Sequence, residues 1–134
     1  MISHALDTNA AIALLNGKSV KLAQRLFAQV AGSVVLPTIV AHELYWGAFR
    51  SRDVRRNLEN LHALAKELPL LDFDPDDARV AGEVRAALAA RGEPIGPYDV
   101  LIAGQAKARK LVLVTNNTRE FERVAGLTVE DWTR

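Results

Sequence analysis

The chain reads as an α/β protein whose central parallel sheet, of four to five short strands, is covered by helices on both faces. Three observations predict this. Short apolar runs alternate with longer helical stretches, the rhythm of repeated βαβ units. Asp7, Pro37-Thr38, Asp74 and Thr115–Asn117 each follow one of those runs, as cap and turn residues do at the carboxyl ends of strands. Apolar residues make up 49% of the 134 and charged residues 25%, the balance of one globular domain, residues 1–134, with a core of its own.

Ile2–Leu6 is the first strand, short and interrupted by His4. Asp7, Thr8 and Asn9 are all good N-cap types, and Ala10–Leu15 is a helical run stopped by Asn16-Gly17. Ser19 caps a second helix, with Leu22, Ala23, Leu26, Phe27 and Val30 at helical spacing until Gly32. Ser33–Leu36 is the second strand, and Pro37-Thr38 starts a helix running to about Phe49. The arginine-rich stretch Arg50–Arg56 joins it to another helix, marked by Leu58, Leu61, Leu64, Ala65 and Leu68 and broken by Pro69. Leu70–Phe73 reads as a strand. Asp74-Pro75 then opens a helix with acids in its first turn, suited to the helix dipole, which ends near Ala90 before Arg91-Gly92. Glu93–Pro97 is a loop, and Tyr98–Arg109 is apolar enough to be a largely buried helix. Leu111–Val114 is a strand, Thr118–Val124 a short helical turn, and Leu127–Val129 a last edge strand.

Several classes of function are excluded. The formal net charge of +1 leaves any nucleic-acid surface to a local patch. With no cysteine there is no disulfide, thiolate metal site or cysteine nucleophile. The N-terminus lacks the basic flank and apolar core of a secretory signal, and no apolar run approaches the roughly 18 residues of a membrane span. The expectation is a soluble cytoplasmic protein without a membrane partner.

Ligands of parallel sheets bind beyond the carboxyl ends of the strands, so the candidates for chemistry lie there. Asp7 is either an N-cap or a metal-binding carboxylate, since hard cations such as Mg²⁺ or Mn²⁺ take oxygen ligands. Glu43 sits one helical turn from Ile39, Val40, Trp46 and Gly47, beside the apolar stripe; it is either solvated or a buried charge in need of a partner such as a metal. Asp99 is a dipole or cap residue in the first turn of the apolar helix, or a further metal ligand at the crevice. Turn chemistry explains Thr115, Asn116 and Asn117, which alternatively orient a bound water or add oxygen ligands. Glu120, one turn on, reads as a surface residue. Arg50, Arg52, Arg55 and Arg56 are a basic cluster suited to phosphates or to a protein partner, or simply a solvated helix junction. His4, His42 and His62 show no metal-ligand spacing.

The residues also resemble a known family. Leu6–Asn9 (LDTN), Ala41–Ala48 (AHELYWGA), Gly96–Ala106 (GPYDVLIAGQA) and Leu113–Trp132 (LVTNNTREFERVAGLTVEDW) look like the motifs of PIN-domain ribonucleases, specifically the VapC toxins of prokaryotic toxin–antitoxin pairs. The resemblance runs through essentially the whole chain. It implies a PIN-like three-layer α/β/α fold and an Mg²⁺- or Mn²⁺-dependent endoribonuclease that cuts cellular RNA such as tRNA or rRNA and so inhibits translation. Asp7, Glu43 and Asp99 match the family's three acidic positions, and Thr8 and Thr115 its supporting hydroxyls. Asn117 stands where a fourth acid often follows the last strong strand; either Asn117 acts through water or Glu120 contributes instead. The resemblance further implies a homodimer and a VapB-type antitoxin that blocks the site and joins the toxin on operator DNA.

Two other readings compete. A phosphoacceptor domain of the response-regulator kind would use Asp72 and Thr115, but the chain lacks the acidic pair after the first strand and a matching lysine. An inactive scaffold of the same fold would suit the missing fourth acid, against three retained carboxylates.

Overall fold

The computed structural model describes all 134 residues. In chain order the elements are β1 (His4–Leu6), α1 (Thr8–Leu15), α2 (Val20–Phe27), β2 (Val34–Pro37), α3 (Thr38–Phe49) and α4 (Val54–Glu67), then β3 (Leu70–Leu71), α5 (Pro75–Ala90), α6 (Pro97–Ala108), β4 (Val112–Val114), α7 (Thr118–Phe121) and β5 (Val129–Glu130). The sheet has five strands in the order β3-β2-β1-β4-β5. Every pairing is parallel, with Ala5 beside Val35 on one side and Leu113 on the other.

Strand order sets the layers. The chain steps outward from β1 through β2 to β3, then returns past β1 to β4 and β5. Right-handed crossovers place α1–α4 on one face and α5–α7 on the other, the three-layer α/β/α arrangement. Covered on both faces, the central strands are apolar without alternation; Leu6, Val35, Leu36, Leu113 and Val114 are all fully buried. The direction of strand order reverses between β1 and β4. A crevice opens at such a switch point, at the carboxyl ends of these strands, and Asp7 and Thr115 stand there.

Two devices seat α6. Gly104 lies so close to α5 that a Cβ there would come within 2.5 Å of the Ala81 Cα. At the far end of α6, Arg109 Nη2 donates to Asp77 Oδ2 at 3.1 Å and to Asp74 Oδ2 at 3.0 Å, while Gln105 Nε2 donates to Asp77 Oδ2 at 2.9 Å. Asp77 is fully buried. Burial alone would raise its carboxyl, but the hydrogen bonds from Arg109, the Asp74 backbone and Gln105, with the Arg109 charge, hold it below the ordinary range.

Several boundaries differ from the sequence reading. β1 starts at His4, leaving Ile2 outside the sheet. α2 ends at Phe27 rather than Val30, because the backbone turns toward Gly32 in the left-handed region; Phe27 and Val30 are 71% and 76% exposed. β2 extends to Pro37. β3 is two residues long, because the Asp72 carbonyl accepts from Gln105 and Arg109 instead of a neighbouring strand. α6 begins at Pro97 and ends at Ala108. α7 stops at Phe121, and Leu127 belongs to a turn through Gly126, so β5 pairs as Val129–Glu130. No helix is long and apolar enough to cross a membrane.

Candidate active site

Asp7 is held on three sides. Its backbone N–H donates to the Val114 carbonyl at 3.0 Å, which continues the β1–β4 ladder one residue past the strand. Its Oδ1 caps α1, accepting the Ala10 N–H at 2.8 Å. Its Oδ2 accepts the Thr115 hydroxyl at 2.5 Å. The residue is 1% exposed. Burial pushes its carboxyl from an ordinary 3.8 to about 6; the two hydrogen bonds work against this, and the negative charges of Glu43 and Glu120 add to it. The cap and site readings of Asp7 are therefore compatible.

The other acids come from both helical layers. Glu43 projects from α3, half-buried, and its Oε1 accepts the Thr8 hydroxyl at 2.6 Å. Asp99 lies in the first turn of α6 after Gly96 and Pro97. Burial pushes its carboxyl to about 7, followed by repulsion from Glu120, Asp7 and Glu43 and by a proton-mediated contact with Glu120. Glu120, a surface residue on its own spacing but the alternative to Asn117 under the family resemblance, is half-buried in this group. Its Oε1 accepts the Gly96 N–H at 2.9 Å and its Oε2 accepts Asn117 Nδ2–H at 2.5 Å. The Asn117 N–H in turn donates to Thr115 Oγ1 at 2.9 Å. A continuous relay thus runs from Asp7 through Thr115, Asn117 and Glu120 to the loop that launches α6.

Asn117, placed by sequence at the fourth position, orients Glu120 through that bond. Asn116 is exposed and takes no part in the relay. The arginine cluster sits apart. Arg50 caps the far end of α3, about 10 Å along the helix from Glu43. Its guanidinium lies 3.7 Å over the Trp46 ring, and Arg55 pairs with Glu59 at 3.3 Å. Arg52 and Arg56 are exposed. Asp72 and Thr115 follow strands separated by β2 and β1, which removes the geometry a phosphoacceptor domain needs.

None of the four acids is paired with a lysine or arginine; the ion pairs of the molecule engage other carboxylates. Four carboxyls without counter-cations are the oxygen donors a hard divalent cation could use. They do not form a closed cage, since no three of them gather as a ready-made coordination shell. Gly96 leaves space beside them: a Cβ there would lie 3.4 Å from Asp99 Oδ2 and 3.9 Å from Glu120 Oε1.

The chain is similar to known proteins along its length. The model of the PIN domain family matches residues 5–127. The tRNA(fMet)-specific endonuclease VapC of Shigella flexneri is 41% identical over 132 residues, spanning 98% of this chain and 99% of that protein. The crystal structure of DNA-bound VapBC from Salmonella typhimurium superposes with a TM-score of 0.94 at 40% identity, covering 98% of this chain and 99% of that one. VapBC2 from Rickettsia felis, bound to a DNA fragment from its promoter, gives a TM-score of 0.90 at 32% identity over 98% of this chain and 99% of that one. On the family match and on full-length similarity to VapC ribonucleases, this chain belongs to the PIN domain family, in its VapC branch.

Proposed function

We propose that the chain is a metal-dependent endoribonuclease, the toxin of a toxin–antitoxin pair, and that Asp7, Glu43, Asp99 and Glu120 are its metal-binding acids. The observation that carries this reading is that four carboxylates without a lysine or arginine partner, one just after β1 and the others on α3, α6 and α7, stand near enough at the switch point of the sheet for their charges to repel one another. Mg²⁺ or Mn²⁺ held there would activate water and offset charge on the scissile phosphate. The chain's own residues prepare that ground. Thr115 and the Ala10 N–H fix both oxygens of Asp7, so its carboxylate is aimed before any cation arrives. Thr8 does the same for one oxygen of Glu43. Asn117 and the Gly96 N–H hold Glu120 toward Asp99.

The substrate is cellular RNA, and tRNA is favoured because the Shigella flexneri relative is a tRNA(fMet)-specific endonuclease. A VapB-type antitoxin partner, with operator DNA bound only as the joint complex, is supported by the DNA-bound VapBC structures. The active toxin is a homodimer, with Arg50, Arg52, Arg55 and Arg56 meeting RNA or antitoxin. The test is cleavage by antitoxin-free protein. Total RNA and purified tRNA(fMet) are incubated with Mg²⁺ or Mn²⁺, against EDTA and Asp99→Asn controls. Discrete fragments that disappear in both controls are expected. Fragments that survive both would overturn the metal-acid assignment.

A further inference from the structure

One aromatic pair beside the acids has no part in the chemistry above. His42 immediately precedes Glu43 on α3, and Tyr98 immediately precedes Asp99 on α6. Consecutive helical side chains point about 100° apart, so each ring flanks the face of its helix that carries the acid rather than sharing it. The two rings meet across the helices, with centroids 5.5 Å apart and planes tilted by 50°. Tyr98 is still 46% exposed, and His42 is exposed as well. The neighbouring aromatics are occupied differently. Trp46, 57% exposed, carries the Arg50 guanidinium over one face of its ring, and Tyr45 packs against Phe49 and His62. His42 and Tyr98 are the exposed ring pair that bridges α3 and α6, the two helices carrying Glu43 and Asp99.

The four acids repel a polyanion and offer nothing to hold a base. A chain whose phosphate sits over them must secure its bases on something else nearby. Aromatic rings do this for every base type, because each base has a π face, provided that the base is unpaired.

We propose that His42 and Tyr98 form a stacking platform for one unpaired base of the RNA, next to the phosphate that the acids address. The proposal rests on the ribonuclease reading and deepens it. It makes single-stranded loops the favoured substrates and leaves base identity only weakly selected by these two residues.

The test uses the full-length protein with Mg²⁺ and a hairpin RNA containing the mapped cut, with 2-aminopurine at either flanking nucleotide. Stopped-flow fluorescence before turnover reports stacking as quenching, and steady-state rates give KM and kcat separately. Tyr98→Leu and His42→Leu are expected to lose the quench and to raise KM by about tenfold or more with kcat little changed, in line with the strength of base stacking. Tyr98→Phe is expected to keep both. Light scattering on each variant tests the competing occupant, a second copy of the chain. If Tyr98→Leu dissociates the protein and the kinetic loss follows dissociation, the pair belongs to an interface and the platform is refuted. Unchanged quench and KM in both leucine variants, with a wild type that cuts, also refute it, and refute it alone. A wild type that cuts no RNA overturns the ribonuclease reading first, and the platform with it.

Discussion

Replacing Asp99 with asparagine is expected to abolish cleavage while making the metal-free protein more stable. Asp99 sits among Glu120, Asp7 and Glu43, and its carboxyl is raised from 3.8 to about 7. A raised acid binds its proton more tightly in the folded than in the unfolded chain. Its charge therefore takes stability away as pH rises from the unfolded value through the folded one, and the whole penalty is present at pH 8. Each pKa unit corresponds to about 1.4 kcal/mol, so the ceiling is about 4 kcal/mol. Asp99 is only part-buried, and solvent screening brings the expected gain to about 1–2 kcal/mol. For a chain of this size that is a rise in melting temperature of roughly 3–8 °C. Thermal melts in EDTA at pH 8 and pH 5 would measure it. The gain at pH 5 should be less than half that at pH 8, because folded Asp99 is by then largely protonated and neutral. Millimolar Mg²⁺ should raise the melting temperature of wild type at pH 8 more than that of the variant. A variant that melts at or below wild type in EDTA at pH 8 would refute the reasoning, since Asp99 would then bear no repulsion to relieve.

Other perturbations separate the site from its supports. Gly104→Ala drives a Cβ into the Ala81 backbone and should destabilise by about 1–3 kcal/mol, read as a lower urea midpoint. Arg109→Leu strands the buried Asp77 carboxylate and should cost about 3 kcal/mol at neutral pH. Because the Asp77 carboxyl is held low, that contribution is present above the unfolded carboxylate value and fades as pH falls through the folded one, so melts of wild type and variant should converge in acid. Gly96→Ala should fold normally, because its Cβ meets only ordinary contacts, yet it sets a methyl against Asp99 and Glu120; Mg²⁺ affinity by calorimetry should fall about tenfold, and unchanged affinity would show that the cation does not use that space.

The sequence made legible what is local in origin. Asp7 ends a strand and caps a helix, and both roles follow from its immediate neighbours. The burial of α6 follows from its composition, and the βαβ rhythm predicts a parallel sheet. From the residues alone Glu120 read as a surface residue, and only the family resemblance offered it as an alternative to Asn117, because its partners are not local. The Gly96 N–H that it accepts is 24 residues earlier in the chain and arrives only when the Glu93–Pro97 loop folds back. The one local signal was the spacing from Asn117, whose side chain reaches Glu120 across a single turn. Val30 misled in the opposite way. It continued an apolar period that the backbone abandons, while the Ser33 hydroxyl donates to its carbonyl at 2.6 Å in the turn into β2. The shortness of β3 was hidden because side chains of α6, distant in sequence, take the carbonyl that a longer strand would have used.

The relay from Asp7 to Gly96 crosses the seam between the two helical layers. Residues up to Glu43 supply two of the acids, and residues from Asp99 to Glu120 supply the others. Each stretch holds only two of the four acids. During synthesis the first half of the chain therefore emerges without a competent centre. The centre is completed only when β4 takes its place beside β1 and the turn after it delivers Glu120. Fragments that stop short of that turn carry most of the fold's mass and lack one of the proposed acids.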